Sequence, residues 1–192
     1  MAVTPTTWNP ADKDTGGGTL SGGNLVYDGG NGGVRSVFGA TAGKYYWEVT
    51  YPSGVAGQMI GVATASADLD GYPGSDAEAW AFESNSANVY SNWSITDTGT
   101  ATPTTTLGVL LDADAKELRF RADGTDCGIV ISLTGTAFYA VVGYYGETAA
   151  NSIGPILVST FGKNRKAAFM TPDYTYGHTT TKSVADYLTQ KA

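Results

Sequence analysis

The chain has 192 residues, a length that fits a single all-β domain, and its 42% hydrophobic residues are enough to build a sizeable core. Only 15% of the residues are charged, and 26 glycines separate short apolar runs, which predicts many short strands joined by turns. The formal net charge is −7. Because nucleic-acid binding depends on clustered Lys and Arg, we expect no nucleic-acid partner.

A single cysteine, Cys127, means that no disulfide can form within the chain. We expect a half-buried thiol in a hairpin, with an intermolecular disulfide as the alternative. The N-terminal sequence MAVTPTTWNP lacks the basic and apolar regions of a signal peptide, and no apolar run approaches the length needed to span a membrane. We therefore expect synthesis in a cytoplasm and no membrane insertion.

The first part of the chain predicts a lead-in followed by a hairpin. Residues 1–24 are polar, with Trp8 as their one large apolar anchor, and we expect them to be loosely structured and to join a sheet near Leu20. In residues 24–39, NLVYDGGNGGVRSVFG, a Gly-rich turn separates two apolar runs, which is typical of a hairpin.

Residues 44–51, KYYWEVTY, predict a strand with two unlike faces. Tyr45, Trp47 and Val49 share one face, and the opposite face carries Tyr46, Glu48 and Thr50. The next apolar run, QMIGVATA at 58–65, follows a turn-rich link, so we expect these two strands to pair antiparallel.

The rest of the chain continues as short strands. EAWAFES and NVYSNW are strand candidates, and residues 104–131 read as strand, turn, strand, turn and strand. AFYAVVGYYG and GPILVSTFG complete the series. Only KSVADYLTQKA, at the end, has helical spacing, with Ser183 as a candidate N-cap.

In this order the motifs resemble the SPRY (B30.2-like) family, and most closely its short bacteriophage members. The resemblance is carried by TWNPADKD with TLSGGNL, SVFGATAGKYYWEVTY, IGVATA, AWAF, LGVLLDADAKELRFRADGTDCG, and VSTFG followed by AFMTP. It spans roughly residues 6–172. The sequence departs from the family pattern at Asp123 and Thr160, where the family usually has Asn.

The resemblance implies an all-β fold, a bent, jelly-roll-like sandwich of two antiparallel sheets with Trp47 in the core between them, and the residue pattern agrees. We expect a lead-in at 1–19, a sandwich at 20–172, and a short helical or extended tail at 173–192. The lead-in and the tail are candidate docking segments.

The sequence contains few candidate catalytic residues. The chain has one histidine, His178, and no cysteine pair, so we expect no Ser-His-Asp or Cys-His site, no structural zinc, no catalytic residue and no cofactor. A glycan-processing enzyme is the alternative, and it would need two convergent carboxylates. The candidates for such a pair are Asp70, Asp76, Glu78 and Glu83.

Two acidic segments invite comparison with calcium loops. Asp68 and Asp70 with Glu78 form one, and the other comprises Asp112, Asp114 and Glu117. Neither has the ligand spacing of an EF-hand loop, so we expect turn-forming carboxylates rather than a metal site, with weak calcium binding as the alternative.

Loops of a β-sandwich carry recognition residues on a rigid scaffold. Tyr and Trp are enriched at interaction sites because they combine a large contact area with a polar group, and their ring faces also stack on sugars. The candidate ligand-binding residues are Tyr72, Tyr90, Trp93, Tyr144 and Tyr145. Tyr72, between Gly71 and Pro73, is the best exposed candidate, and we expect about half of the set to pack under the loops.

The sequence thus predicts a bacteriophage virion structural or adhesion protein that acts by non-covalent recognition. Its partners would be other virion proteins and a host-surface glycan or protein, and it would be present in many copies or as a homo-oligomer on the particle. A free bacterial adaptor that binds a peptide is a further alternative.

Overall fold

The computed structural model describes residues 6–51, 56–146 and the backbone of 159–161, and all regular structure in these residues is β. The strands are β1 Trp8–Lys13, β2 Thr19–Ser21, β3 Val26–Asp28, β4 Gly33–Ala40, β5 Lys44–Thr50, β6 Gln58–Ala63, β7 Ala79–Glu83, β8 Asn88–Ser91, β9 Ser94–Thr98, β10 Thr106–Asp112, β11 Glu117–Ala122, β12 Thr125–Asp126, β13 Ile131–Ser132, β14 Phe138–Tyr144 and β15 Ser159–Phe161. Within the described part of the chain, no helix is long and apolar enough to cross a membrane.

Two antiparallel sheets form the sandwich. The larger has the order β1-β4-β14-β6-β7-β8-β9, and the smaller has the order β12-β11-β10-β5-β15, with β13 also paired to β11. A separate ribbon joins β2 and β3. The predicted all-β antiparallel sandwich is confirmed. The predicted tail at 173–192, including its helix and His178, lies outside the described residues.

The KYYWEVTY strand, β5, divides its residues between two faces as predicted. Tyr45, Trp47 and Val49 belong to the core between the sheets, and Trp47 is only 3% exposed. On the other face, the Tyr46 hydroxyl donates to the Glu48 carboxylate at 2.6 Å. This stretch therefore supplies core packing.

The expected pairing of β5 with β6 is wrong. β5 pairs with β10 and β15 in the smaller sheet, whereas β6 pairs with β14 and β7 in the larger one. Both strands bury apolar side chains in the same core, Trp47 from β5 and Ile60 and Val62 from β6. Placing them in opposite sheets lets both apolar faces meet across the sandwich, which direct pairing would prevent.

The sheet begins earlier than the lead-in prediction placed it. Residues 8–13 form β1, which pairs with β4 at one edge of the larger sheet. The Trp8 side chain is fully buried, and its indole N–H donates to the Leu25 carbonyl at 3.2 Å. The expectation of a loosely structured lead-in is therefore wrong for this strand. Burial of the Trp8 side chain stabilises the pairing of β1 with β4.

A buried ion pair joins the start of β5 to the end of β10. Lys44 begins β5, Asp112 ends β10, and the two residues lie opposite each other in the strand register. Their side chains form an ion pair and are 5% and 3% exposed. The Asp112 carboxylate also accepts the Ala115 N–H at 3.0 Å, so it closes the turn that was considered as a calcium loop.

Strand β6 is buried on both faces. Ile60 and Val62 point into the sandwich, while Met59 and Ala63 lie on the outer face of the larger sheet. Residues 64–78, which we term the covering loop, pack against this outer face. Strands buried on both sides read as continuous apolar runs rather than as alternating ones, which explains the composition of QMIGVATA and AWAF.

The covering loop is fixed to the sheet by an arginine on β4. Arg35 donates from Nη1 to the carbonyls of Thr64 at 2.7 Å and Ala67 at 3.1 Å. Its remaining guanidinium nitrogens donate to the Asp12 carboxylate of β1 at 2.8 and 2.6 Å. Because Arg35 is buried, this paired charge and its hydrogen bonds hold the loop in place.

Cys127 is fully buried. Burial raises the pKa of its thiol to about 11. A buried, protonated thiol is a poor nucleophile, so the folded protein does not offer this cysteine for an intermolecular disulfide.

We expect loss of the Asp112 carboxylate to destabilise the fold strongly. Asp112→Ala removes the carboxylate that forms the buried ion pair with Lys44, which costs roughly 3–5 kcal/mol. The combined Lys44→Met and Asp112→Leu replacement should recover much of that loss, because it removes both charges. Urea denaturation measures the free energy of unfolding.

The control is the half-buried pair of Arg119 and Glu117, 3.5 Å apart. Glu117→Gln should cost at most about 1 kcal/mol. An Asp112→Ala variant that is no less stable than Glu117→Gln would contradict the structural role of the buried pair.

We expect stability to fall at alkaline pH. Burial raises the pKa of Tyr27, Tyr51 and Tyr144 above the ordinary 10.0, and that of Cys127 above its ordinary 9.0. Since these groups ionise more easily in the unfolded chain, their contribution is complete below about pH 9 and is lost as the pH rises further. Thermal melts at increasing pH, with phenolate absorbance recorded in parallel, test this. Ionisation of all twelve tyrosines near their ordinary pKa in a folded protein would contradict it.

Candidate functional site

An aromatic cavity lies on the outer face of the larger sheet, beside the covering loop. Its volume is about 270 Å³. Separate segments of the chain contribute its walls, which are Met59, Tyr72, Glu83, Tyr90, Trp93 and Tyr145. Four of these six residues are aromatic, so aromatic rings form most of the lining of the cavity.

Strand register builds the floor of the cavity. Met59 of β6 lies opposite Glu83 of β7, and Ala81 of β7 lies opposite Tyr90 of β8, so these four residues share the outer face. Met59, Ala81 and Tyr72 form a small buried apolar cluster with Tyr90 packed against it. The floor is therefore as rigid as the sheet beneath it.

A tight turn in the covering loop places Tyr72 over this floor. The Ser75 N–H donates to the Tyr72 carbonyl at 2.9 Å, and Pro73 and Gly74 occupy the centre of the turn. Gly74 has φ +97°, and a Cβ there would lie 2.8 Å from the Tyr90 carbonyl oxygen. Only glycine suits both the backbone angle and the close approach, so the sequence Tyr-Pro-Gly-Ser fixes Tyr72 against β8.

Trp93 stands at the tip of the β8–β9 hairpin in a strained backbone conformation. Asn92 and Trp93 form its two-residue turn, with φ of 53° and 59°. Their N–H groups donate to the carbonyls of Asp76 at 2.7 Å and Gly74 at 3.1 Å, which docks the hairpin onto the covering loop. A bulky residue at positive φ is uncommon and costs about 1–2 kcal/mol, yet the Trp93 side chain is 68% exposed.

The rings of the cavity meet at steep angles. Tyr72 and Trp93 have ring centroids 5.1 Å apart and planes inclined at 85°, and Tyr72 and Tyr145 are 4.7 Å apart and inclined at 68°. The Tyr145 N–H donates to the Gly57 carbonyl at 2.9 Å, which fixes the chain after β14. Trp93 and Tyr145 therefore both pack against Tyr72, and all three rings line the same cavity.

The electrostatics of the cavity come from one carboxylate and its tyrosines. Glu83 accepts a hydrogen bond from the Ser86 hydroxyl, which orients its side chain. Burial raises the pKa of Tyr72, and the nearby Tyr145, Tyr90 and Glu83 raise it further. Tyr72 is therefore neutral at neutral pH, and Glu83 is the formal charge among the described residues that line the cavity.

The structure brings four of the five predicted ligand-binding residues to this cavity and places the fifth elsewhere. Tyr144 is 1% exposed on β14 and stacks with Tyr27, with ring centroids 6.1 Å apart, so its assignment to an exposed loop is wrong. Tyr144 is the last residue of β14 and lies in the core, whereas Tyr145 follows the strand, which separates the two side chains. Tyr72 is also less exposed than expected, at 6%, because it supports the other rings. Ligand binding by the remaining four stays a prediction.

Met59 is the cavity residue that sequence reasoning missed. It lies within the continuous apolar run of β6, where the sequence does not distinguish an inner from an outer face. The uninterrupted apolar character of that run was the available signal, because it indicates a second covered face.

The clustered carboxylates are engaged separately. Asp70 accepts from the N–H and hydroxyl of Thr15 at 2.6 and 2.8 Å, and these hydrogen bonds lower its pKa. Asp76 accepts the Asp68 N–H at 2.6 Å, and Glu78 accepts the Thr64 hydroxyl at 2.5 Å. Of the four candidate catalytic carboxylates, Glu83 alone lines the cavity. The cavity thus does not hold the pair that glycoside hydrolysis requires.

In the two acidic segments that were compared with calcium loops, carboxylates accept hydrogen bonds from backbone N–H groups of their own turns, Asp112 from Ala115 and Asp68 from Asp70. In residues 6–51 and 56–146, no group of three or more His, Cys, Asp and Glu side chains is placed to hold a metal ion.

Comparisons with known proteins identify the fold and a family. The family model of the SPRY domain matches residues 44–156. The SPRY domain of human HERC1 has a similar structure, with a TM-score of 0.62 and 17% identity, over 81% of this chain and 98% of that one. The TRIM65 PSpry domain gives a TM-score of 0.63 at 15% identity, over 79% and 92% of the two chains.

Stonustoxin is also similar, with a TM-score of 0.59 and 23% identity, over 81% of this chain and 27% of that one. A search of curated proteins found no significant match. At these identities, the structural similarities establish the fold.

We expect Trp93→Gly to leave stability nearly unchanged. The change relieves about 1–2 kcal/mol of backbone strain and creates an Asn-Gly turn, which this hairpin geometry favours. It also removes the contact with Tyr72, which is worth about 0.5–1.5 kcal/mol, so the two effects nearly cancel. Urea denaturation should place the variant within about 1 kcal/mol of the parent.

Trp80→Ala is the matched control, because Trp80 belongs to the core and should cost about 3–5 kcal/mol. A loss of that size in Trp93→Gly would show that Trp93 is kept for packing.

Proposed function

The chain belongs to the SPRY family, whose domains mediate protein–protein interaction. From that premise, we propose that its aromatic cavity is a recognition site for a partner protein. One observation carries the proposal: an exposed tryptophan, held in a strained turn, converges with three tyrosines from other segments on a single cavity. Interaction hot spots are enriched in Trp and Tyr and cluster in well-packed pockets.

The backbone strain at Trp93 favours a role for this side chain in recognition over a role in packing. A residue in a sparsely populated backbone region persists only where the surrounding structure holds it there, and such residues cluster at functional sites. Glycine would fit this turn without strain, and the exposed indole is little used for packing. Contact with a ligand gives the side chain a role that its place in the fold does not.

We further propose that the chain is a bacteriophage virion component, made in the host cytoplasm and mounted in many copies on the particle. The sequence motifs that resemble short phage members of the family support this proposal. The cavity would face outward, towards a host-surface protein or glycan or towards another virion protein. The C-terminal segment 173–192, one of the two docking segments predicted from the sequence beside the lead-in at 1–19, would attach the chain to its neighbours. Many copies would convert weak individual contacts into firm attachment.

Mass spectrometry of purified particles of the source phage tests the location. We expect many copies per particle when the chain is quantified against the major capsid protein. Absence from the particle would contradict the virion role and would favour the free adaptor.

Particles that carry Trp93→Gly test the cavity. We expect the variant to have the same copy number as the parent and to adsorb to host cells more slowly, because the fold and the docking segment are intact while the recognition site is not. Particles that carry Asp114→Asn, a change in an exposed turn of the smaller sheet, should adsorb normally. Equal adsorption by all three would contradict recognition through the cavity.

A further inference from the structure

The charge at the aromatic cavity has one sign. Glu83 lies on its wall, and no Lys or Arg stands among the described residues that line it. Tyr72, inside the cavity, is held in its neutral form by burial and by its neighbours. The chain as a whole carries a net charge of −7. A cation therefore meets attraction both at the wall and from the rest of the protein, whereas an anion is repelled.

The lining of the cavity suits a compact cation. Trp93 and Tyr145 each contact Tyr72 edge to face, and the three rings line one cavity together with Glu83, so a cation there meets ring surface and a carboxylate at once. The negative faces of aromatic rings attract an ammonium or guanidinium group within about 6 Å of the ring centre, and Trp attracts it most strongly. Several rings that line one cavity, with a carboxylate beside them, therefore offer a site for such a group.

The size of the cavity is consistent with such a group. A volume of about 270 Å³ equals the space that roughly nine water molecules occupy in the liquid. This admits the charged end of a long side chain together with part of its aliphatic stem.

We infer that the cavity binds an organic cation, namely the ammonium or guanidinium group of a Lys or Arg side chain that a partner protein places in the cavity, against its ring surfaces and Glu83. The inference rests on the proposed function and names the chemistry of its partner. A free quaternary ammonium compound presents the same chemistry to the cavity, and the experiment separates the two sources.

The chain contains its own reporter for this test. It has four tryptophans, all within the described residues, and Trp8, Trp47 and Trp80 are at most 5% exposed, whereas Trp93 lies at the cavity. Four indole N–H signals are therefore expected in a ¹⁵N-correlated NMR spectrum, and the Trp93→Gly spectrum assigns one of them.

Four probes would be titrated against the folded protein. Nα-acetyl-lysine methylamide and Nα-acetyl-arginine methylamide, whose side chains keep their charge, represent a partner's side chains. Choline represents a quaternary ammonium, and 3,3-dimethyl-1-butanol is the uncharged shape match of choline. We expect at least one cation to shift the Trp93 signal saturably and to bind roughly tenfold more tightly than 3,3-dimethyl-1-butanol. Binding by the amino-acid probes identifies a protein side chain as the source, and binding by choline alone identifies a quaternary ammonium.

Glu83→Gln tests the contribution of the charge. It should lower the affinity for the cation several-fold and leave 3,3-dimethyl-1-butanol unaffected, because only the cation interacts with the carboxylate charge. Asp114→Asn removes the same charge from an exposed turn of the smaller sheet and should change neither affinity.

Equal binding of choline and 3,3-dimethyl-1-butanol would overturn the inference, and so would unchanged cation affinity in Glu83→Gln or a Trp93 signal that no cation shifts. These failures differ from failure of the proposed function. If Trp93→Gly particles adsorb slowly while Glu83→Gln particles adsorb normally, the cavity is a recognition site but its ligand is not a cation.

Discussion

The burial of β6 on both faces is the constraint from which the rest of this structure follows. Its inner face places Ile60 and Val62 in the core of the sandwich, against the smaller sheet. Its outer face carries Met59 and Ala63, which the covering loop at 64–78 must shield from water. An apolar sheet face left open would be a site of aggregation. The loop that solves this problem also brings Tyr72 to the edge of the shielded region, where the cavity begins.

Backbone hydrogen bonds join the covering loop to the β8–β9 hairpin and hold the hairpin in place. The carbonyls of Gly74 and Asp76 accept the two N–H groups of the Asn92–Trp93 turn, so the position of Trp93 depends on the covering loop as well as on its own hairpin. The loop in turn is held by the buried guanidinium of Arg35. A side chain on β4 therefore stabilises the arrangement of a site built on the far strands, which is how a rigid sandwich presents an exposed aromatic residue in a defined orientation.

The class of fold and the core role of Trp47 could be predicted from the sequence, because the family resemblance implied both and the local signals, alternation along a strand and turn-forming residues, agreed with it. Sequence reasoning failed where the outcome depends on distant partners. Whether β5 pairs with β6 depends on which sheet each strand joins, and Trp8 draws β1 into the sheet through contacts with residues far along the chain. At the site, Tyr72, Tyr90, Trp93 and Tyr145 could be selected by residue type, but their convergence depends on the covering loop. Tyr144 was misassigned because the sequence leaves open where β14 ends, and the strand includes Tyr144 but not Tyr145.

The most direct test of the central claim, that the aromatic cavity is the recognition surface, is oxidative footprinting by mass spectrometry of the free and the partner-bound chain. Trp93 and Tyr145 are 68% and 52% exposed and react readily when free. Val37 and Val130, also exposed, lie on other strands and loops and serve as internal references. The account predicts that binding protects Trp93 and Tyr145 and leaves the two valines unchanged. Protection of the valines with Trp93 as reactive as before would contradict it.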